Sequence, residues 1–236
     1  MTIDLASVPA SRIGDILCAA QGEPDAQLPV SGSNIKVRYS QVPVEYHHAW
    51  QAMKEFTAAR ADNTPDEIWL LQHPPVYTQG VAGKPEHLLH SNGIPVVRTD
   101  RGGQITYHGP GQVIGYLMLD IHRLGLGVRE LVSRMEGAVI DLLGEYHISS
   151  ESRKGAPGVY VDGAKIASLG LKIKKGCCYH GIALNADMDL EPFSAINPCG
   201  YAGLRLTQLR DLGVTDGIEM LSRKLAWRLQ LRLLPA

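Results

Sequence analysis

Aromatic side chains are scarce in this chain of 236 residues, at 6% with only two phenylalanines. A platform that stacks nucleic-acid bases needs several exposed rings, so this composition argues against one. Charge of one sign is lacking too. Lys and Arg number 23 against 24 Asp and Glu, leaving a formal net charge of −1 and a pI near 6.7. A nucleic-acid partner would ordinarily call for a net basic face, so none is expected. No apolar run approaches the ~18 residues of a spanning helix, so no membrane span is expected. Cysteine is sparse, at positions 18, 177, 178 and 199. There is no CxxC pair, and adjacent Cys177 and Cys178 are poorly placed to bridge each other. Neither a disulfide framework nor a four-Cys zinc site is expected, and a reducing cytoplasmic setting fits. Residues 1–10 carry no basic segment of the secretory-signal kind. What remains is 44% hydrophobic, enough for a sizeable core in one domain.

Residues 1–34 stand apart. Pro24, Pro29 and the run Ser31-Gly32-Ser33-Asn34 read as linker. Residues 13–20 read as one short helix, and the whole stretch as a flexible N-terminal extension to a single domain over residues 35–236. Strands are predicted at residues 35–39, 68–72, 94–99, 112–121 and 179–185. Helices are predicted at residues 45–61 and 216–234, the latter capped by Thr215 or Asp216. Val128, Leu131, Val132, Met135, Val139, Leu142 and Leu143 repeat at helical spacing and mark another helix. Asp162-Gly163 is the dipeptide preferred in a two-residue hairpin turn, and it joins runs 159–161 and 164–173. Helices and strands mix, and the clearest connection is a hairpin. The pattern predicts an α/β domain of the α+β type, with a mixed, mainly antiparallel sheet flanked by helices.

Four places could carry chemistry. The first is Arg101-Gly102-Gly103-Gln104-Ile105-Thr106-Tyr107-His108-Gly109-Pro110-Gly111-Gln112. Its glycines permit close backbone approach, and its N–H groups could hold a carbonyl, carboxylate or phosphate. It is neither a Walker A motif nor GxGxxG. The second is Lys165. Strict alternation places it on one strand face with Ala167, Leu169, Leu171 and Ile173, an inward face if that is the core. Desolvation would then make its amine a usable base. The third is Asn197-Pro198-Cys199-Gly200-Tyr201, where turn residues surround a thiol; a lone cysteine is otherwise an inert small hydrophobe. The fourth is Tyr179-His180-Gly181-Ile182-Ala183-Leu184-Asn185. A histidine there ordinarily serves as a hydrogen-bonded structural residue. His108, His180 and Cys199 lack the close spacing of a metal site, so no metal is expected.

Taken together, these segments resemble the lipoyl(octanoyl) transferases. The resemblance runs over residues 37–203 and thins in the closing helix. It implies a fold similar to the catalytic module of biotin and lipoate ligases. It implies transfer of an octanoyl group from octanoyl-acyl carrier protein to a lysine of lipoyl domains, in 2-oxoacid dehydrogenase complexes and the glycine cleavage H protein. It implies Cys199 as the acyl-thioester nucleophile and Lys165 as its activator. It places Arg101, Gly102, Gly103, Gln104, Ile105, Thr106, Tyr107 and His108 along the acyl site, with Ser168, Leu169, Gly170, Gly181, Ile182 and Ala183. His180 and Asn197 are candidate supporting residues. No bound cofactor is expected, because the donor brings its own phosphopantetheine thioester. The rival reading is an ATP-dependent lipoate- or biotin-type ligase, which needs no cysteine nucleophile. Lys172, Lys174 and Lys175, with Arg153 and Lys154 before the same hairpin, are expected to form neighbouring basic clusters that attract the acidic carrier protein.

Overall fold

The computed structural model describes residues 17–19, 30–198 and 203–234. In chain order its elements are β1 (Leu17–Ala19), β2 (Lys36–Ser40), α1 (Tyr46–Ala58), β3 (Glu67–Leu71), β4 (Val76–Gln79), β5 (Val96–Arg98), β6 (Ile105–His108), β7 (Gln112–Asp120), α2 (Val128–Glu145), β8 (Glu151–Ser152), β9 (Gly158–Val161), β10 (Ala164–Lys174), β11 (Cys177–Asn185) and α3 (Ile218–Leu233). The main sheet runs β1-β2-β3-β7-β11-β10-β9-β8, and a smaller one runs β5-β4-β6. Neighbours are antiparallel except β2–β3 and β4–β5. This is the mixed, mainly antiparallel sheet that the sequence predicts.

Side-chain alternation divides the main sheet into two buried faces. Ile68, Leu70, Val113, Leu117, Leu119, Cys178, Ile182 and Leu184 pack against α2 and α3. Trp69, Leu71, Ile114, Tyr116, Met118, Tyr179 and Ala183 face the other way, toward Ala49, Ala52 and Met53 of α1. The small sheet has its own apolar cluster around Tyr77, Tyr107 and Phe193. Because β7 is covered on both sides, its sequence reads as a nearly continuous apolar run.

Several expectations need correction. Leu17–Ala19 is extended and pairs with β2, not helical; residues 13–16 and 20 lie outside the described residues. The open edge of β2 offers unpaired backbone groups, a long-range partner that local pattern does not register. α3 starts after Gly217. The Asp216 carboxylate instead accepts the Tyr146 hydroxyl at 2.7 Å and lies 3.0 Å from Lys224 Nζ. Residues 105–108 sit inside the glycine-rich stretch yet form β6, paired with β4. The two basic clusters do not adjoin. Arg153 lies by the Asp162-Gly163 turn, whereas Lys174 and Lys175 sit at the far end of β10. An eleven-residue strand separates them by ~35 Å. No helix among the described residues is long and apolar enough to cross a membrane.

Candidate active site: an apolar cleft and a buried lysine

Lys165 is buried, 1% exposed, but not for the reason alternation suggests. Lys165 pairs with Tyr160 and Ala167 with Val159, so Ile166 is an extra residue in β10. This bulge breaks the two-residue period. Ile166 and Ala167 both join the helix-side core with Val159 and Val161. Lys165 therefore points to the opposite face from Ala167, correcting the expected grouping. Its Nζ donates to the Pro157 carbonyl at 3.0 Å and lies 5.2 Å from the Tyr160 ring centroid. Gly158 makes the room: at φ +141°, a Cβ there would lie 2.9 Å from Lys165 Cε and 3.1 Å from Nζ. The backbone of Lys165 is gripped by the chain that follows residues 199–202. Its N–H donates to Arg205 O at 2.8 Å, and its carbonyl accepts Thr207 N–H at 3.1 Å. Cys199 itself lies outside the described residues. Cys178 does not resemble a nucleophile: burial pushes its thiol up to about 12, and its Sγ meets the Leu117 carbonyl.

On the α1-side face, a cleft gathers residues far apart in the chain. Arg101, Gly103, Gln104, Ile105, Thr106 and His108 line it from the glycine-rich stretch; Ser168, Leu169 and Gly170 from β10; His180, Gly181, Ile182 and Ala183 from β11. Strand pairing explains the meeting, with Ser168 opposite Ala183 and Gly170 opposite Gly181. At Gly181 a Cβ would fall 2.0 Å from Gly115 O, so only glycine fits. Gly102 is not among the lining residues; its N–H fastens the turn to Leu171 O at 2.9 Å. Tyr107 points instead into the small-sheet cluster beside Tyr77 and Phe193. Asn197 lies outside the cleft, its N–H donating to His87 O at 2.8 Å. The cleft also takes Tyr46, Ile114 and Tyr116. Sequence reasoning missed these because a cleft-facing residue on a covered strand has the same pattern as a core residue.

Beneath the cleft runs a continuous polar chain. Thr207 O can only accept, so Asn185 Nδ2 donates to it at 3.0 Å, and Asn185 Oδ1 accepts from Gln112 Nε2 at 2.9 Å. Gln112 Oε1 then accepts from His108 Nδ1–H at 2.8 Å. This orientation leaves His108 Nε2 to accept from the Thr78 hydroxyl at 3.2 Å. Thr78 Oγ1 in turn accepts Arg101 Nε and Nη2 at 3.1 and 2.8 Å. The chain thus links Arg101 at the cleft to Thr207, which bonds Lys165. Burial, with His73 nearby, holds His108 well below the usual histidine range, so it is neutral at pH 7. His73 donates from Nδ1 to Val44 O and accepts the Tyr116 hydroxyl at 2.6 Å; burial lowers it to about 4. A second cluster centres on Asp100, which accepts Trp50 Nε1 at 2.8 Å, His180 Nε2 at 2.9 Å and the Tyr179 hydroxyl. Burial opposes its ionisation, but these three donors outweigh it and hold the carboxyl well below the ordinary range. Among the described residues no group of three or more His, Cys, Asp or Glu is placed to hold a metal ion.

The fold is that of the lipoate and biotin protein ligases. Lipoate-protein ligase A bound with ATP superposes with a TM-score of 0.67 at 16% identity, covering 81% of this chain and 84% of that one. Biotin protein ligase from Aquifex aeolicus, in complex with biotin and ATP, gives 0.50 at 12% identity over 84% and 69%. At such identities the likeness shows the fold alone. Residues 45–228 match the lipoyl protein ligase A/B catalytic domain. The octanoyltransferase of Nitrosospira multiformis is 69% identical over 201 residues, 85% of this chain and 93% of that protein. The chain belongs to the lipoyl protein ligase A/B family and, within it, to the octanoyltransferases, the acyltransferases of protein lipoylation.

Proposed function

We propose that octanoyl transfer in this enzyme runs from octanoyl-acyl carrier protein to a lipoyl-domain lysine through a thioester on Cys199, with Lys165 controlling the thiol. The observation that carries this reading is the buried Lys165, turned by a bulge away from the helix-side core and bonded through its backbone to the chain following residues 199–202. The Cys199 thiolate attacks the donor carbonyl, an oxyanion forms, and the phosphopantetheine thiolate leaves and takes a proton. A lysine amine then attacks the enzyme thioester, the amide forms, and Cys199 regains a thiol as the amine loses its proton. Thioester exchange is near isoenergetic, so the acyl group stays activated between two large substrates. Lys165 serves as ammonium beside the thiolate or as the amine that accepts its proton, and the two groups titrate as a pair. The apolar cleft suits an eight-carbon chain, each buried methylene contributing ~0.8 kcal/mol.

Incubation with octanoyl-acyl carrier protein and intact-mass analysis tests the reading. One added octanoyl group, absent in Cys199→Ser, is expected, since a serine hydroxyl ionises far less readily than a thiol. Pyrophosphate release from ATP and octanoate, with no acyl-enzyme, would instead favour a ligase.

A further inference from the structure

His180 lines the cleft and carries a buried polar atom. Its φ is +62°, a conformation that residues other than glycine seldom adopt. Its neighbours Cys178 and Ile182 point into the helix-side core, and alternation would send His180 with them. The left-handed backbone instead brings the ring to Tyr179 and Tyr116, at centroid distances of 5.0 and 6.2 Å, on the cleft side. Nε2–H donates to Asp100, which leaves Nδ1 as an acceptor. That Nδ1 is buried and has no hydrogen-bond partner.

Its place along the cleft is equally specific. Ser168 pairs with Ala183, Gly170 with Gly181, and Leu171 with His180. Lys165 lies beyond the Ser168 end of this stretch. From the Ser168 row to the His180 row is ~10 Å at ~3.3 Å per residue. An extended eight-carbon chain, at ~1.3 Å of advance per C–C bond, spans ~9 Å. The Lys165 amine reaches back to Gly158, which pairs with Ser168, so a chain with its carbonyl at that row brings its terminal methyl to His180. Asp100, which holds the ring through Nε2, is itself 28% exposed, so the ring lies between the cleft and a partly solvated carboxylate.

We propose that His180 is the end wall of the acyl slot and sets the chain length the enzyme accepts. The proposal rests on the reading that this cleft holds the acyl chain. A longer chain presses carbon against a ring that Asp100 holds in place, and toward an acceptor that hydrocarbon cannot pair. A shorter chain loses buried methylenes, about fourfold in kcat/KM for each.

The test is His180→Gly, because glycine adopts the left-handed backbone without strain and removes the wall. Octanoyl and decanoyl small-molecule thioesters are offered in equal amounts, and the acyl-enzyme masses are read after one turnover. Wild type is expected to carry mainly octanoyl, and the decanoyl-to-octanoyl ratio to rise about tenfold in the variant. His180→Asn, which tolerates the same backbone and keeps an acceptor, is expected to rise less. An unchanged ratio in both variants overturns the proposal. So does a folded His180→Gly protein that takes up neither chain, since a wall residue touches only the chain end. Wild type that takes up no acyl group from any donor would refute the thioester reading itself, a separate outcome.

Discussion

At the scale of single residues, one inserted side chain determines where the candidate base points. Ile166 shifts the register of β10, and Gly158 opposite leaves space for the Lys165 amine. Gly158→Ala is expected to lower stability by ~1–3 kcal/mol, because a Cβ meets both Lys165 Nζ and the Ala167 carbonyl. Urea unfolding checks this. Lys165→Ala is expected to raise the apparent pKa of the Cys199 thiol, read as alkylation rate against pH. Superimposable curves would remove Lys165 from control of the thiol. The buried histidines predict an acid-side weakness. His73 is held at about 4 by burial, whereas the unfolded chain takes up that proton near 6.5. Between those values the unfolded state binds more protons, so stability falls as pH drops through the window and levels off below it. The loss from His73 is about 3 kcal/mol in all. The urea midpoint is expected to fall from pH 7.5 to pH 5, and less steeply in His73→Gln, whose amide can replace both hydrogen bonds. Lys165 was legible as a candidate, but its orientation was not, because a bulge depends on the partner strand.

At the scale of elements, local chemistry predicted what is local. Asp162 and Gly163 both adopt positive φ, at +47° and +80°, as a two-residue hairpin turn requires. The apolar repeat in α2 places Leu131, Met135, Val139 and Leu142 in the helix-side core. Leu142 is fully buried there, and Leu142→Ala is expected to cost ~2–5 kcal/mol while leaving the cleft on the opposite face intact. Thermal unfolding, with octanoyl transfer assayed well below the transition, separates the two effects. β1 and β6 went unread for a common reason. Each is short, and each owes its extended form to a partner strand distant in sequence, β2 for one and β4 for the other.

At the scale of the whole molecule, the distance between the basic clusters changes which of them faces the donor. Arg153 and Lys154 are exposed near the Lys165 end of β10, while Lys174 and Lys175 are exposed at the His180 end. On the proposed route, the carrier protein delivers its thioester at the Lys165 end. Arg153→Gln with Lys154→Glu is expected to lower kcat/KM for octanoyl-carrier protein about tenfold at low salt. The effect should fade at high salt and be absent for a small octanoyl thioester, as expected of steering charges. Lys172→Ala with Lys174→Ala and Lys175→Asn is expected to change neither; an effect there alone would place docking at the other end. The sequence by itself determined the Asp162-Gly163 hairpin, the amphipathic helices and the mixed sheet, because turn chemistry and side-chain periodicity act over a few residues; the segments that line the cleft were legible through the family resemblance. Only the tertiary structure decided that Lys165 turns away from the helix-side core, that His180 turns into the cleft and bonds Asp100, and that Tyr46 and Tyr116 line the cleft beside it. Those outcomes depend on strand register and on the backbone of partners dozens of residues away, and a one-residue shift in pairing sends a side chain to the opposite face of the sheet.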